Sequence, residues 1–255
     1  MKIRILGCGT STGVPVIGCR CEVCSSDEPR NRRTRTSALI QSGGKNGKNI
    51  LIDTSTDLRV QSLKNDIERI DAVLFTHPHA DHVHGIDDLR VFNLIQKEII
   101  PCYGDRLTVE RIKKAFDYIF TDSEYDGWKP SLSLSAIEEP FELFGLKVTP
   151  VGIYHGTAVI TGWRINDAAY LTDCSSVPPE SLERLRGVNV LIVGALRRRP
   201  HPSHFSIDQA VELSRKLSPE RTVLTHLSHN VDYVKDGDTL PSAVELAYDG
   251  MEIDA

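Results

Sequence analysis

Thr76-His77-Pro78-His79-Ala80-Asp81-His82 is the stretch on which the reading of this chain turns. It places three histidines and an aspartate between positions 77 and 82, directly after Ala72–Thr76, which reads as a buried strand. Imidazole nitrogens and carboxylate oxygens are the donors that Zn²⁺ and Mn²⁺ accept. On a loop leaving a strand, His77 and His79 can converge on one ion, and Asp81 and His82 can reach a second. Pro78 stiffens the turn that presents them. His84, Asp87 and Asp88 continue the polar run. With nine histidines in the whole chain, a chance cluster of this density is improbable.

Outward from this stretch, apolar runs predict strands at Lys2–Leu6, Ser37–Gln41 and Asn49–Asp53 before it. Ser42–Gly47 reads as a hairpin loop between the last two. Helices are predicted at Asp57–Lys64, Asp87–Gln96 and Arg106–Phe120. The second half repeats the style. Strands are expected at Leu146–Val151, Ala158–Trp163, Ala168–Thr172, Val188–Val193 and Arg221–Thr225. Helices are expected at Pro179–Leu185, with proline in its first turn, and at Ser206–Leu217, with Ser206 as N-cap. Ala243–Ala247 and Met251–Ile253 are read as a terminal hairpin around Asp249-Gly250. Strands lead and helices follow, once in each half, so two packed sheets with helices outside are the natural layered solution. No repeat, low-complexity tract or linker interrupts residues 1–255, which are read as one domain.

His-x-His-x-Asp-His after an apolar strand resembles the signature of the metallo-β-lactamase superfamily, and the likeness extends over nearly the whole chain. It implies an α+β fold, a four-layer αββα sandwich with the site at one edge of the two sheets. The family's other positions find counterparts in order: Asp53, His155, Asp173 and His226, each at a predicted strand's C-terminal end. By this resemblance His77, His79 and His155 hold one metal, Asp81, His82 and His226 hold another, and Asp173 bridges them. Asp53 stands behind the ligands and orients one of the histidines. Two such ions share a hydroxide that attacks phosphorus in line.

Cys19, Cys21 and Cys24 crowd into six positions, while Cys8, Cys102 and Cys174 are scattered. Three thiolates together argue for a structural Zn²⁺, which takes four tetrahedral ligands. The fourth is expected from His229, three residues after His226. With this segment, the opening Gly7–Pro15 (GCGTSTGVP) and the run from Thr76 to Arg90 ending GIDDLR, the chain resembles the PhnP-type phosphodiesterases. Those act on a ribose 1,2-cyclic phosphate. In that family the position of His204 serves as general acid, protonating the leaving alkoxide. Arg197, first of the Arg197–Arg199 triplet, is a candidate contact for a second phosphate, since guanidinium forks match phosphate geometry.

Other signals fail. Gly9-Thr10-Ser11-Thr12-Gly13 fits the nucleophile elbow, but Val14-Pro15 stands where its helix should begin. Gly7-x-Gly9 lacks the third glycine of a dinucleotide fingerprint. The formal net charge of −5 argues against a protein that holds long nucleic acid over its surface. The expectation is thus a metal-dependent phosphodiesterase with two catalytic Zn²⁺ or Mn²⁺ ions, a structural Zn²⁺ and a small phosphodiester substrate. It is placed in the cytoplasm, with no membrane partner, and a homodimer is implied by the family. The alternatives are a transfer-RNA 3′-processing nuclease, which would need a basic RNA-holding arm not seen here, and a non-catalytic relative with a binding or biosynthetic role. Retention of all seven catalytic-metal positions and an acid favours catalysis.

Overall fold

In strand β3 (Asn49–Ile52), Ile50 and Ile52 enter one core and Leu51 enters another. Both faces of the strand are buried, which is why it reads as a continuous apolar run rather than an alternation. The computed structural model describes residues 1–43, 47–121 and 128–255, so the middle of the loop expected over Ser42–Gly47 lies outside the described residues.

The same two-faced burial recurs in the central strands but not at the sheet edges. The other strands of the first half are β1 (Lys2–Gly7), β2 (Ser37–Gln41), β4 (Ala72–Leu74), β5 (Ile100–Gly104) and β6 (Leu132–Ala136). The second half supplies β7 (Phe141–Leu143), β8 (Leu146–His155), β9 (Ala158–Ile165), β10 (Ala168–Leu171), β11 (Val190–Gly194), β12 (Arg221–Thr225), β13 (Val244–Leu246) and β14 (Glu252–Asp254). Among the described residues they form two seven-stranded sheets, ordered β14-β1-β2-β3-β4-β5-β6 and β13-β12-β11-β10-β9-β8-β7. Each half begins with antiparallel neighbours and ends with parallel ones.

Three apolar clusters prove the layering. Ile5, Ile52, Leu74, Trp163, Tyr170 and Ile192 fill the space between the sheets. Leu51, Val73 and Phe75 pack outward against Leu58, Leu89 and Ile112 of the helices on the first sheet. Leu171, Leu191 and Val193 pack outward against Leu185, Ile207 and Leu213 of the helices on the second. The result is the αββα sandwich.

The terminal hairpin does not form. β13 pairs in parallel with β12 at the edge of the second sheet, while β14 pairs antiparallel with β1 in the first. The Asp249-Gly250 turn is instead a crossing between sheets, because the Asp249 carboxylate is taken by Cys8 N–H, Thr34 N–H and the Thr34 hydroxyl. Two three-residue strands gain more from the open edges of existing sheets than from each other. The helix expected over Arg106–Phe120 is two, Arg106–Ala115 and Asp117–Phe120, broken at Phe116 (φ −122°, ψ 44°). The helix expected over Asp87–Gln96 begins as a 3₁₀ turn at Ile86–Asp88 and is α-helical over Leu89–Gln96. Ser206 caps Ile207–Leu217 in a full capping box with Gln209. Among the described residues no helix is long and apolar enough to cross a membrane.

Candidate metal centre

The site residues sit where strands end. Asp53 follows β3, Asp173 comes two residues after β10, and His226 follows β12; all three hold left-handed backbone (φ 59°, 54° and 57°). Such dihedrals are uncommon for residues other than glycine, and three of them at one sheet edge mark a place where tertiary contacts hold the chain in a turn it would not choose. His77 leaves β4 three residues past its end, and His155 closes β8. His82 lies on the short helix Ala80–Val83, just upstream of Gly85. A Cβ at Gly85 would meet the Ser55 carbonyl oxygen at 2.1 Å, so only glycine lets the motif settle beside Asp53.

These ends meet in two clusters. In the first, the rings of His77, His79 and His155 lie with centroids 4.6–5.6 Å apart. In the second, His82 Nε2 is 3.3 Å from Asp81 Oδ2, and His226 Nε2 is 3.8 Å from it. Asp173 stands between them. Its Oδ1 is 3.3 Å from His82 Nε2 and 3.2 Å from His226 Nε2, while its Oδ2 faces His77 Nε2 at 3.9 Å. One carboxylate thus turns one oxygen to each cluster.

The donors fit metal ions. Among the described residues the Nε2 atoms of His77, His82 and His226 are buried with no hydrogen-bond partner, an expensive arrangement unless something electron-poor sits among them. Tetrahedral bonds of about 2.0–2.3 Å give donor–donor edges of about 3.3–3.8 Å, close to the spacing of the second cluster. Burial alone would raise the Asp173 carboxyl, but His226, His82 and His77 outweigh it and hold it well below the usual range. Burial pushes His77 down, the neutral state a ligand needs. His82 goes the other way: burial lowers it, yet Asp173 and Asp53 raise it well above its ordinary value. The pocket calls for positive charge at that point.

Asp53 acts from behind. It accepts hydrogen bonds from Thr76 N (2.8 Å) and Thr76 Oγ1 (2.7 Å) and lies 2.7 Å from His82 Nδ1, which directs His82 Nε2 into the site. The Ser203 carbonyl does the same for His155 Nδ1 at 2.8 Å. His204 is brought alongside, its ring 4.7 Å from His155 and 5.0 Å from His226, with Nδ1 3.9 Å from Asp173 Oδ2. Burial, with His226 beside it, pushes its pKa down to about 3.

The structure brings Cys19, Cys21 and Cys24 together around His229. His229 Nδ1 lies 3.3 Å from Cys19 Sγ and 3.6 Å from both Cys21 Sγ and Cys24 Sγ. These are tetrahedral edges of the length just given. The N–H of Cys24 helps hold the Cys21 thiol down to about 7.

Arg197 is the exception. Its guanidinium donates to the carbonyls of Arg199 (3.3 Å) and Pro200 (3.5 Å), and Arg198 pairs with Asp236. The hollow of about 610 Å³ that opens onto His77, His79 and His155 is bordered by Arg111 and Lys114 instead, with Leu107 and Val159 as apolar walls. Sequence reasoning missed both cations. They lie on the exposed face of Arg106–Ala115, where nothing in the sequence distinguishes them from a solvated charge run. A second hollow of the same volume, beside Lys147, Arg164 and Asp167, shares no residue with the clusters.

A family model described as a β-lactamase superfamily domain matches residues 48–227. Over 99% of its length the chain is 39% identical to the octanoyltransferase of Porphyromonas gingivalis, and it spans about half (51%) of that protein. Among solved structures, one described as a new diphosphatase from the PhnP family superposes with a TM-score of 0.92 at 40% identity, covering 100% of this chain and 97% of that one. Zn²⁺-bound PqqB from Methylobacterium extorquens superposes at 0.82 with 20% identity, covering 100% of both, a likeness that bears on the fold alone.

Proposed function

The chain belongs to the metallo-β-lactamase superfamily, close to its PhnP family, and from this premise we propose that it is a two-metal phosphodiesterase acting on a small cyclic ribose phosphodiester. The coarser statement, a metal-dependent hydrolase, is supported by the superfamily domain and by the diphosphatase relative. The observation that carries the finer reading is the Asp173 carboxylate, with one oxygen toward each cluster and His204 beside it.

In this reading His77, His79 and His155 hold one divalent ion, and Asp81, His82 and His226 hold the other. Zn²⁺ and Mn²⁺ both suit these donors, and once bound they supply Lewis acidity toward phosphoryl oxygens and lower the pKa of a water toward about 7. The chain's own residues do the rest. Asp53 fixes His82 and Ser203 fixes His155, so neither ligand reorients during turnover. Asp173 keeps the clusters at a set separation. His204, whose protonation burial and His226 disfavour, regains a proton beside an anionic phosphodiester and donates it to the leaving alkoxide, without which a sugar oxygen departs poorly. Arg111 and Lys114 hold positive potential along one wall and favour an anionic substrate. Cys19, Cys21, Cys24 and His229 take a structural Zn²⁺.

A second reading, hydrolysis of a diphosphate, is favoured by the diphosphatase at 40% identity. It uses the same in-line displacement with a phosphate leaving group. Phosphorus NMR separates the two. Incubation with Mn²⁺ and, in parallel, phosphoribosyl 1,2-cyclic phosphate, a 2′,3′-cyclic nucleotide and a dinucleoside diphosphate is expected to open a cyclic ester to a monoester. Turnover of the diphosphate alone would replace the cyclic-ester reading with the second one.

A further inference from the structure

Arg33 is 2% exposed, yet its hydrogen bonds run to two carbonyls and one side-chain amide oxygen, and none to a carboxylate. Nη1 donates to Ser228 O at 3.0 Å; Nη2 donates to Val231 O at 2.9 Å and to Asn31 Oδ1 at 2.9 Å. Ser228 and Val231 flank His229, and Ser228 follows His226 by two residues. Burying a guanidinium whose acids, Asp249, Asp232 and Asp236, act on it only through space is costly, and without it the acceptors on Ser228, Val231 and Asn31 would be left unpaired. Its fork, spent on two carbonyls of one turn, points to a positional task.

The surroundings name that task. His226 stands in a left-handed conformation that the flanking chain must hold. On one side Leu227 N–H bonds Cys8 O (2.8 Å), Leu227 O accepts from Thr10 N–H (3.1 Å), and Ser228 N–H bonds Leu196 O (3.0 Å). On the other side Arg33 and the cysteine cluster grip the turn through the Ser228 and Val231 carbonyls and through His229, and Asn31 holds the next residues at Asp232 and Tyr233. Arg33 is also tied by its backbone to Val14, five residues before Cys19, with 2.8 Å hydrogen bonds in both directions. Guanidinium and cysteine cluster thus form one clasp on the loop that delivers His226.

We propose that Arg33 is a positioning residue for His226, coupling the Cys₃His cluster to the ion held by Asp81, His82 and His226. The inference rests on the metal assignment made above. Coupling of this kind is reciprocal, so emptying the cysteine cluster weakens the His226 ion and the converse also holds.

The test measures metal content rather than turnover. Wild type, Arg33→Met, Arg33→Lys and Ile3→Ala are equilibrated across a chelator-buffered series of free Zn²⁺, and bound metal per chain is counted. Ile3 is buried near the start of β1, away from the strand ends that carry the ligands, and controls for plain loss of stability. Arg33→Lys keeps a charge without the fork and covers the case in which Arg33→Met does not fold. The expected result is three ions per wild-type chain, with one of the three needing about 10- to 100-fold more free Zn²⁺ in the Arg33 variants. After Co²⁺ loading, the thiolate charge-transfer band of the cysteine cluster persists in those variants, which assigns the weakened ion to the His226 cluster. If the Arg33 variants titrate like Ile3→Ala at a matched Tm loss, Arg33 is only structural and the proposal falls. If wild type itself binds fewer than three ions, the metal assignment beneath it fails first.

Discussion

His204 is the residue whose role can be isolated most cleanly, because it touches the site without belonging to either ligand cluster. Its Nδ1 is 3.9 Å from Asp173 Oδ2, and it is packed between His155 and His226. A general acid matters in proportion to how poor the leaving group is. His204→Ala should therefore keep its full metal content while losing about 10²- to 10⁴-fold in kcat on a diester with a sugar alkoxide leaving group. On p-nitrophenyl esters, whose phenolate leaves unaided, the loss should be far smaller. Equal activity of variant and wild type on the alkoxide substrate would release His204 from the role. The visibility of such residues in sequence was uneven. His77–His82 announces itself by density, and Asp53, Asp173 and His226 by standing at strand ends. Their shared left-handed backbone was invisible, since nothing local in the sequence demands it. Arg33 was hidden for the opposite reason. It lies in the polar run Asn31–Thr36, which reads as a solvated face until the fold folds it inward.

Among elements, the excursion from Cys8 to Thr36 between β1 and β2 does the most with the least regular structure. It carries four thiols, three of them clustered, and the buried Arg33, and it is stitched to the chain around Leu227 and Asp249. If a structural Zn²⁺ is what orders it, Cys21→Ser should lower the metal content from three ions per chain to two or fewer. It should also lower Tm by several degrees, the scale of a lost structural metal contact in a domain of this size. Metal analysis with a thermal melt checks both. An unchanged metal content would leave only three reduced thiols around His229. Elements with strong periodicity were legible, and their ends were not. The Asp249-Gly250 turn signal pointed to a hairpin, but β13 and β14 found edges on different sheets, a choice set by partners about 20 and 250 positions away. β5, β6 and β7 escaped notice because three to five residues beside other structure carry too little pattern.

At the scale of the whole molecule, two similar halves bring their strand ends to one edge, and residues from position 53 to position 226 meet there. The ligand order along the chain was readable from the superfamily signature. What the hollow offers a substrate was not, since Arg111 and Lys114 acquire meaning only when their helix is laid beside the clusters. The central claim is that this edge hydrolyses phosphodiesters through bound metal. Its most direct test is hydrolysis of bis(p-nitrophenyl) phosphate by the purified protein with Mn²⁺ or Zn²⁺, beside Asp81→Ala. Turnover that requires metal and drops at least about 10³-fold in the variant is the predicted result. Absence of turnover in a wild-type protein carrying its full complement of ions, or equal turnover in Asp81→Ala, would contradict it.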